Sequence, residues 1–305
     1  MALGRKPIGR NWRLTALVEM NRNMITRIIL FFAIVFVLLH PALSLAQNVD
    51  QATEYNKKGE RYAQSGNYAE AINAFKEAIK LQPEYYDAYM NLGVAYQHSG
   101  HAEEAIDYYQ SASKLRPDSE FPYWFLGNAY ASSGKYGEAI KAFNQVVRIK
   151  PEWAEAHYLL GCDYILAGEN QKAIEALKRA IQLRSDWAEV YVKLGAAYDR
   201  TGEHEESLDA FKQAAQLKPD DAEAQYLLGW AYSKAGHHKE SIEPLKRAIG
   251  LKPNHALAHY HLGLAYKILG DKDAAFEEHR ILTTLDAELA RKLYDSLTGA
   301  RLTDR

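Results

Sequence analysis

The sequence predicts an all-α chain of seven stacked helix pairs, and three observations predict it. A pentapeptide recurs every 34 residues without a slip, as LGVAY at 92, LGNAY at 126, LGCDY at 160, LGAAY at 194, LGWAY at 228 and LGLAY at 262. Blocks cut at 52, 86, 120, 154, 188, 222 and 256 each carry glycine at the eighth and fifteenth places and tyrosine at the eleventh. Apolar residues within a block are spaced by three and four, as in Tyr89, Leu92 and Tyr96 and then Ala105, Tyr109 and Ala112. Two such stripes around a glycine turn describe antiparallel amphipathic helices. A fixed period of this size marks units that bury their apolar faces only by stacking.

The elements follow in order. Arg22 and Arg27 precede twelve uninterrupted apolar residues, Ile28 to Leu39, and then Pro41, Ser44 and Ala46. A basic flank, a short apolar run and a small-x-small end describe a secretory signal over residues 1–46. Twelve residues fall short of the roughly 20 that span a bilayer. Counting on to Ala46 gives a marginal span, so an uncleaved anchor over 25–46 is the alternative. The protein is therefore expected to be exported to the periplasm or cell envelope, or secreted, with inner-membrane anchoring as the runner-up. Met20 and Met24 are alternative starts. Residues 47–51 read as a short linker, and 52–285 as the seven blocks.

Inside the blocks, the eighth-place glycines (Gly93, Gly127, Gly161, Gly195, Gly229 and Gly263, with Gly59 in the first) sit within a helix. Glycine there costs about 1 kcal/mol relative to alanine, so a close contact with the second helix is expected. The eleventh-place tyrosines (Tyr96, Tyr130, Tyr164, Tyr198, Tyr232, Tyr266, with Tyr62) fill the space beside it. The fifteenth-place glycine ends the first helix in a left-handed conformation. Pro83, Pro117, Pro151, Pro219 and Pro253 stop the second helices, Ser185 replaces this proline once, and Pro244 is expected to bend its helix. Leu285, Leu289, Leu293 and Leu297 form a stripe beyond the last block, with Asp286 as its cap. Residues 286–305 thus read as a capping helix and tail.

Composition excludes several classes. The one cysteine, Cys162, rules out an internal disulfide and a thiolate metal cage. Residues 1–46 carry six basic groups and one acidic, a charge of +5, so the whole-chain −2 leaves −7 for the remainder. That is a poor surface for wrapping nucleic acid. No glycine-rich phosphate loop, HExxH or CxxCH occurs. His255, His259 and His261 cluster, but His259 holds a packing place. Neither a catalytic site, a metal nor a cofactor is expected.

These residues resemble the tetratricopeptide-repeat family. Its pattern sets leucine and glycine seventh and eighth, tyrosine eleventh, small residues twentieth and an aromatic twenty-fourth. Here the twentieth places are Ala71, Ala105, Ala139, Ala173, Ser207, Ser241 and Ala275, and the twenty-fourth are Phe75, Tyr109, Phe143, Leu177, Phe211, Leu245 and His279. The end blocks depart from it, with Lys58 for leucine and His279 for the aromatic. The resemblance implies a right-handed superhelical solenoid whose first helices line a concave groove for a peptide or helix of another protein. Groove places (second, fifth, ninth, twelfth and thirteenth) hold Phe121, Trp124 and Asn128, then Tyr158, Cys162 and Ile165, and then Tyr226, Trp230, Tyr260 and Leu264. Lys193 and Arg200 add a polar step beside Asp199. Packing between adjacent blocks is the competing use for the apolar ones.

Asp87, Glu155, Glu189 and Glu223 recur at the second place, where the helix dipole favours a carboxylate. The family's carboxylate clamp needs lysine where Met90 and Trp124 stand, and its asparagine ladder is missing. The expected function is a non-catalytic protein-interaction scaffold of the cell envelope. The alternative is a membrane-tethered, chaperone-like assembly factor for envelope enzymes or polysaccharide export.

Overall fold

A computed structural model of the chain describes residues 47–299 and eight positions before them (22, 24, 27, 30, 31 and 33–35). The signal or anchor expected over 1–46 therefore falls outside the described residues, those eight positions apart. The regular structure among the described residues is helical throughout, with no strand. None of the described helices is long and apolar enough to cross a membrane. The chain divides into two compact units, Met1–Tyr108 and Tyr109–Arg305. The first holds α1 (47–64), α2 (Tyr68–Leu81), α3 (Tyr86–His98) and the start of α4 (Ala102–Leu115). The second continues with α5 (Glu120–Ser132), α6 (Tyr136–Ile149), α7 (Ala154–Leu166), α8 (Asn170–Leu183), α9 (Ala188–Thr201) and α10 (His204–Leu217). It ends with α11 (Ala222–Lys234), α12 (Ile242–Leu251), α13 (Ala256–Leu269), α14 (Lys272–Leu285) and α15 (Ala287–Thr298).

Each block is one helix pair, and its turn is a Schellman closure. In the fourth block, Gly168 takes φ +80° and the Glu169 N–H donates to the Tyr164 carbonyl at 2.8 Å. The same left-handed glycine recurs at Gly66, Gly100, Gly134, Gly202, Gly236 and Gly270.

The eighth-place glycine exists because the second helix leaves it no room. A Cβ on Gly161 would lie 2.6 Å from Leu177 Cγ, and one on Gly59 2.5 Å from the Phe75 ring. The neighbour is the twenty-fourth residue of the same block. In the last block that place is His279, and Leu293 from α15 moves in instead, 2.5 Å from a Cβ on Gly263. The capping helix thus supplies the side chain the last block lacks. Asp286 caps α15 as expected, accepting from the N–H groups of Glu288 and Leu289 at 3.0 Å each.

The eleventh-place tyrosine also joins blocks through its hydroxyl and ring face. Gln110 donates to the Tyr130 hydroxyl at 2.8 Å and Asn144 to Tyr164 at 3.3 Å. Lys76, Lys178, Lys212 and Lys246 lie 5.3–5.8 Å from the ring centroids of Tyr96, Tyr198, Tyr232 and Tyr266. All six partners occupy the twenty-fifth place of the preceding block.

Two expectations need correction. Residues 47–51 are not a linker: they are helical and extend α1 ahead of its block, with Thr53 Oγ1 donating to the Val49 carbonyl at 2.9 Å. Pro244 does not bend a helix. The second helix of its block starts late, at Ile242 after turns at 238–241, and runs 10 residues where α10 runs 14. Pro244 then falls in the first turn, where a missing N–H costs nothing.

Candidate functional site on the first helices of the second unit

The candidate residues lie on α5, α7, α9, α11 and α13, the first helices of their blocks. Phe121 is 52% exposed and overlooks a cavity of about 420 Å³ with Pro151 and Trp153, edged by Glu120 and Glu152. Trp124, half-buried, stacks on Trp153 with ring centroids 4.3 Å apart and meets Phe143 edge-on. Asn128 turns its amide back to the Trp124 carbonyl at 2.8 Å.

Tyr158 leans on Trp187 at 4.6 Å. Burial pushes its hydroxyl up to about 12, and burial likewise raises the Cys162 thiol. A raised thiol is a poor nucleophile, so Cys162 reads as a packed small residue. Tyr158 shares a cavity of about 270 Å³ with the exposed Lys193. Ile165 packs against the core cluster of α8 and α9, and Arg200 is exposed near the end of α9.

Tyr226 departs from the groove expectation. It is only 8% exposed, its ring 4.8 Å from His255 and 5.9 Å from His261, and burial raises its hydroxyl to about 12. Trp230 stays half-buried, edge-on to Phe211, and lines a cavity of about 210 Å³ with Leu264. Tyr260 and Leu264 rest on the cluster of Leu282, Ala290 and Leu293 under the capping helix.

A rule missing from the sequence reading explains the half-burial. Trp124, Tyr158 and Tyr226 are fifth-place rings, and each packs on the ring at the thirty-fourth place of its own block, Trp153, Trp187 or His255. The signal was present in the sequence as rings at both places of the third, fourth and sixth blocks. One face of each groove ring therefore serves the fold.

The second-place carboxylates form no free acidic ladder. Arg184 pairs with Glu155 at 2.7 Å, Lys218 with Glu189, and His255 Nε2 lies 3.3 Å from Glu223. These pairs staple each closing loop to the start of its block.

The histidines are structural. His259 presents Nδ1 to Glu278 Oε2 at 2.6 Å and Nε2 to the Pro253 carbonyl at 3.0 Å. Two acceptors on one ring call for the imidazolium, and the Glu278 carboxylate raises the ring's pKa. The second bond is a repeat feature, since His157 and Gln225 make it from the same place to Pro151 and Pro219. Among the described residues no three His, Cys, Asp or Glu side chains gather as metal ligands would.

The family model described as cilia and flagella-associated protein 70 C-terminal domain matches residues 86–281, well over half of the chain, and a TPR repeat model matches 59–100. Among solved structures, YrrB, titled a TPR protein with an unusual peptide-binding site, is 27% identical, with TM-score 0.55 over 61% of this chain and 96% of its own. MamA 41-end from Desulfovibrio magneticus RS-1 is 25% identical, with TM-score 0.52 over 56% of this chain and 96% of its own. A tetratricopeptide repeat protein from Parabacteroides merdae shares the fold at 17% identity, with TM-score 0.56 over 82% of this chain and 99% of its own. No curated protein matches.

Proposed function

This chain belongs to the tetratricopeptide-repeat family, and from that premise we propose that it grips a peptide or helix of another protein along the first helices of its second unit. Proteins of this kind are protein–protein interaction scaffolds and generally non-catalytic. One observation carries the reading. Phe121, Lys193 and Trp230, on α5, α9 and α11, each line an open cavity, although the fold needs no fixed residue at their places. Apolar rings whose edges stay accessible beside charged rims are what an interface anchor requires. The peptide-binding site named for YrrB agrees in kind.

The site of action we propose is the cell envelope, on the strength of the basic, apolar and small-residue sequence of positions 22–46. Photo-crosslinking residues placed at Phe121 and Lys193, with a control at the exposed Lys141 of α6, test both statements in cells of the source. Adducts from the first two positions alone, recovered in the envelope fraction, are expected. Equal adducts from Lys141 would move the interface off the first helices. Recovery in the cytosolic fraction with an intact N-terminus would remove the envelope.

A further inference from the structure

The last block is held together differently from the six before it. Its twenty-third place is Glu278, where four other blocks carry alanine (Ala74, Ala142, Ala176 and Ala210). Its twenty-fourth is His279, where the others carry phenylalanine, tyrosine or leucine. A charged contact therefore stands between α13 and α14 where most blocks have an apolar one. The His259 ring of α13 is gripped from both sides, by Glu278 Oε2 at 2.6 Å from Nδ1 and by the Pro253 carbonyl at 3.0 Å from Nε2. The two side chains are only 5% and 13% exposed, so water does little to screen the pair or to replace a lost partner.

Only the imidazolium has a proton for each acceptor. A neutral ring must turn a lone pair toward one of them, and the bond to the carboxylate or to the carbonyl is lost. His157 is the internal control. It holds the same place in the fourth block and makes the same bond to the Pro151 carbonyl, but the twenty-third place of its block is Ala176. Burial lowers the pKa of His157, whereas the bond to Glu278 raises that of His259. The other charged and titratable groups around this corner are engaged elsewhere. Lys246 of α12 lies on the far side of Glu278, whose charge favours its ammonium. On α13 itself, His255 turns Nε2 to Glu223 at 3.3 Å, and His261 lies 5.9 Å from the Tyr226 ring. On α14, Glu277 pairs with Arg280 at 2.6 Å and His279 lies 5.3 Å from the Tyr294 ring. On α15, Glu288 pairs with Lys292 at 2.6 Å, and the side chain that reaches the corner is Leu293. A Cβ on Gly263 would lie 2.5 Å from Leu293 Cδ2 and 3.3 Å from Glu278 Cβ, so the ion pair and the capping helix meet at one notch.

We propose that His259 and Glu278 form a pH-operated latch, which holds α14 and the capping helix α15 on α13 while the ring is charged and releases them when it loses its proton. Glu278 raises His259 above the 6.5 of an unfolded chain. The latch therefore contributes fully below that value and is lost as pH rises through the higher folded value. Release uncovers Leu282, Ala290 and Leu293, which pack together beneath the capping helix. Neither latch residue is among the candidate partner contacts, so the device is independent of the first-helix reading.

Hydrogen exchange of the full chain, read by mass spectrometry on peptides from α14 and α15, tests this with His259→Gln. Gln225 shows that a glutamine at this place keeps the bond to the loop carbonyl, so the variant loses only the titrating ring. The two proteins are compared at one pH at a time, which cancels the base catalysis common to both. At pH 6 the variant should exchange about tenfold faster in these helices, the effect of losing one hydrogen bond to a charged group. The ratio should fall toward one by pH 9. Peptides from α7, which carries His157, should show no such change.

A ratio that holds constant from pH 6 to pH 9, at one or at any other value, would overturn the latch. Histidine-ring NMR gives a second measurement that leaves His259 in place. One ring should titrate above the ordinary range near 6.5 and fall back toward it in Glu278→Gln. If no histidine of the wild-type chain titrates above that range, the latch is wrong whatever the exchange shows.

Discussion

The two units are built on one scaffold and differ in what they place on their first helices. In the first unit, Asn56 donates to Glu60 at 2.8 Å, and Asn91 donates to Asn56 at 3.1 Å and to Glu60 at 3.2 Å. That cluster is closed on itself, and Asn56 is buried. In the second unit the fifth places hold Trp124, Tyr158, Val192, Tyr226 and Tyr260, and the ninth places include Cys162 and Trp230. Of these rings, Tyr158 and Trp230 pack one face on the fold and line cavities with the rest. A satisfied polar cluster offers a partner little, because a new hydrogen bond must replace an old one. A ring edge over a cavity offers area that only a partner can bury. The positions that make the fold and the positions that vary are therefore separable along the same helix.

The largest effects should come from the shared scaffold, and should be alike in both units. Gly59→Leu drives a side chain into the Phe75 ring, and Gly161→Leu drives one into Leu177. Overpacking of this kind costs about 1–3 kcal/mol. Each variant should melt several degrees lower, measured by circular dichroism. The more rigid Phe75 ring should make Gly59→Leu the costlier change. An unchanged melting temperature for either would break the claim of a common scaffold.

A second difference concerns the tenth place, which is Arg61 and Ala95 in the first unit and Ala129, Ala197, Ala231 and Ala265 in the second, but Asp163 in the fourth block. Asp163 is 4% exposed, and its Oδ2 has no hydrogen-bond partner among the described residues. Burial pushes its carboxyl from 3.8 up to about 6. A carboxyl whose folded pKa is raised destabilises the charged form. The penalty is absent below the unfolded value near 4, grows from there to about pH 6, and is complete above it. At roughly 1.4 kcal/mol per pKa unit, Asp163→Ala should stabilise by about 2–3 kcal/mol at pH 7.5 and by little at pH 3.5. Urea melts at the two pH values check this. A variant less stable at pH 7.5 would show that Asp163 has a charge partner that its surroundings do not reveal.

The scaffold was largely legible in the sequence because each of its places solves one local problem. Gly161 avoids Leu177, Gly168 needs a positive φ, and Asp286 caps a helix, so spacing alone identified them. The candidate site was less legible. Its residues were placed on the first helices, but their exposure depends on contacts between residues 29 apart. Trp124 and Tyr158 lose a face to Trp153 and Trp187, and Tyr226 lies buried among histidines. Pro244 was misjudged for a related reason. A proline tells where a helix cannot hydrogen-bond, but neither side of it was marked as the start. His279 could be recognised as a departure from the pattern. Its replacement by Leu293 across the capping helix could not, because the two belong to different elements.

The smallest effects should be found where one block meets the next within each unit. Lys76 in the first unit and Lys178 in the second each lie 5.3 Å from the ring centroid of the next block's tyrosine, Tyr96 or Tyr198. Both lysines are exposed enough for water to screen the charge, so a cation–ring contact here contributes about 0.5–1 kcal/mol. Lys→Met at each position keeps the apolar stem and removes only the charge. The expected loss is about 0.5 kcal/mol per variant in urea melts, equal in the two units and additive in the double variant, since the sites share no partner. Gln110 and Asn144 show that a neutral donor also serves the place, through the tyrosine hydroxyl. Lys178→Gln should therefore recover most of what Lys178→Met loses. Were both replacements neutral, the stem's packing would be the whole contact, and the twenty-fifth place would belong with the variable residues rather than with the scaffold.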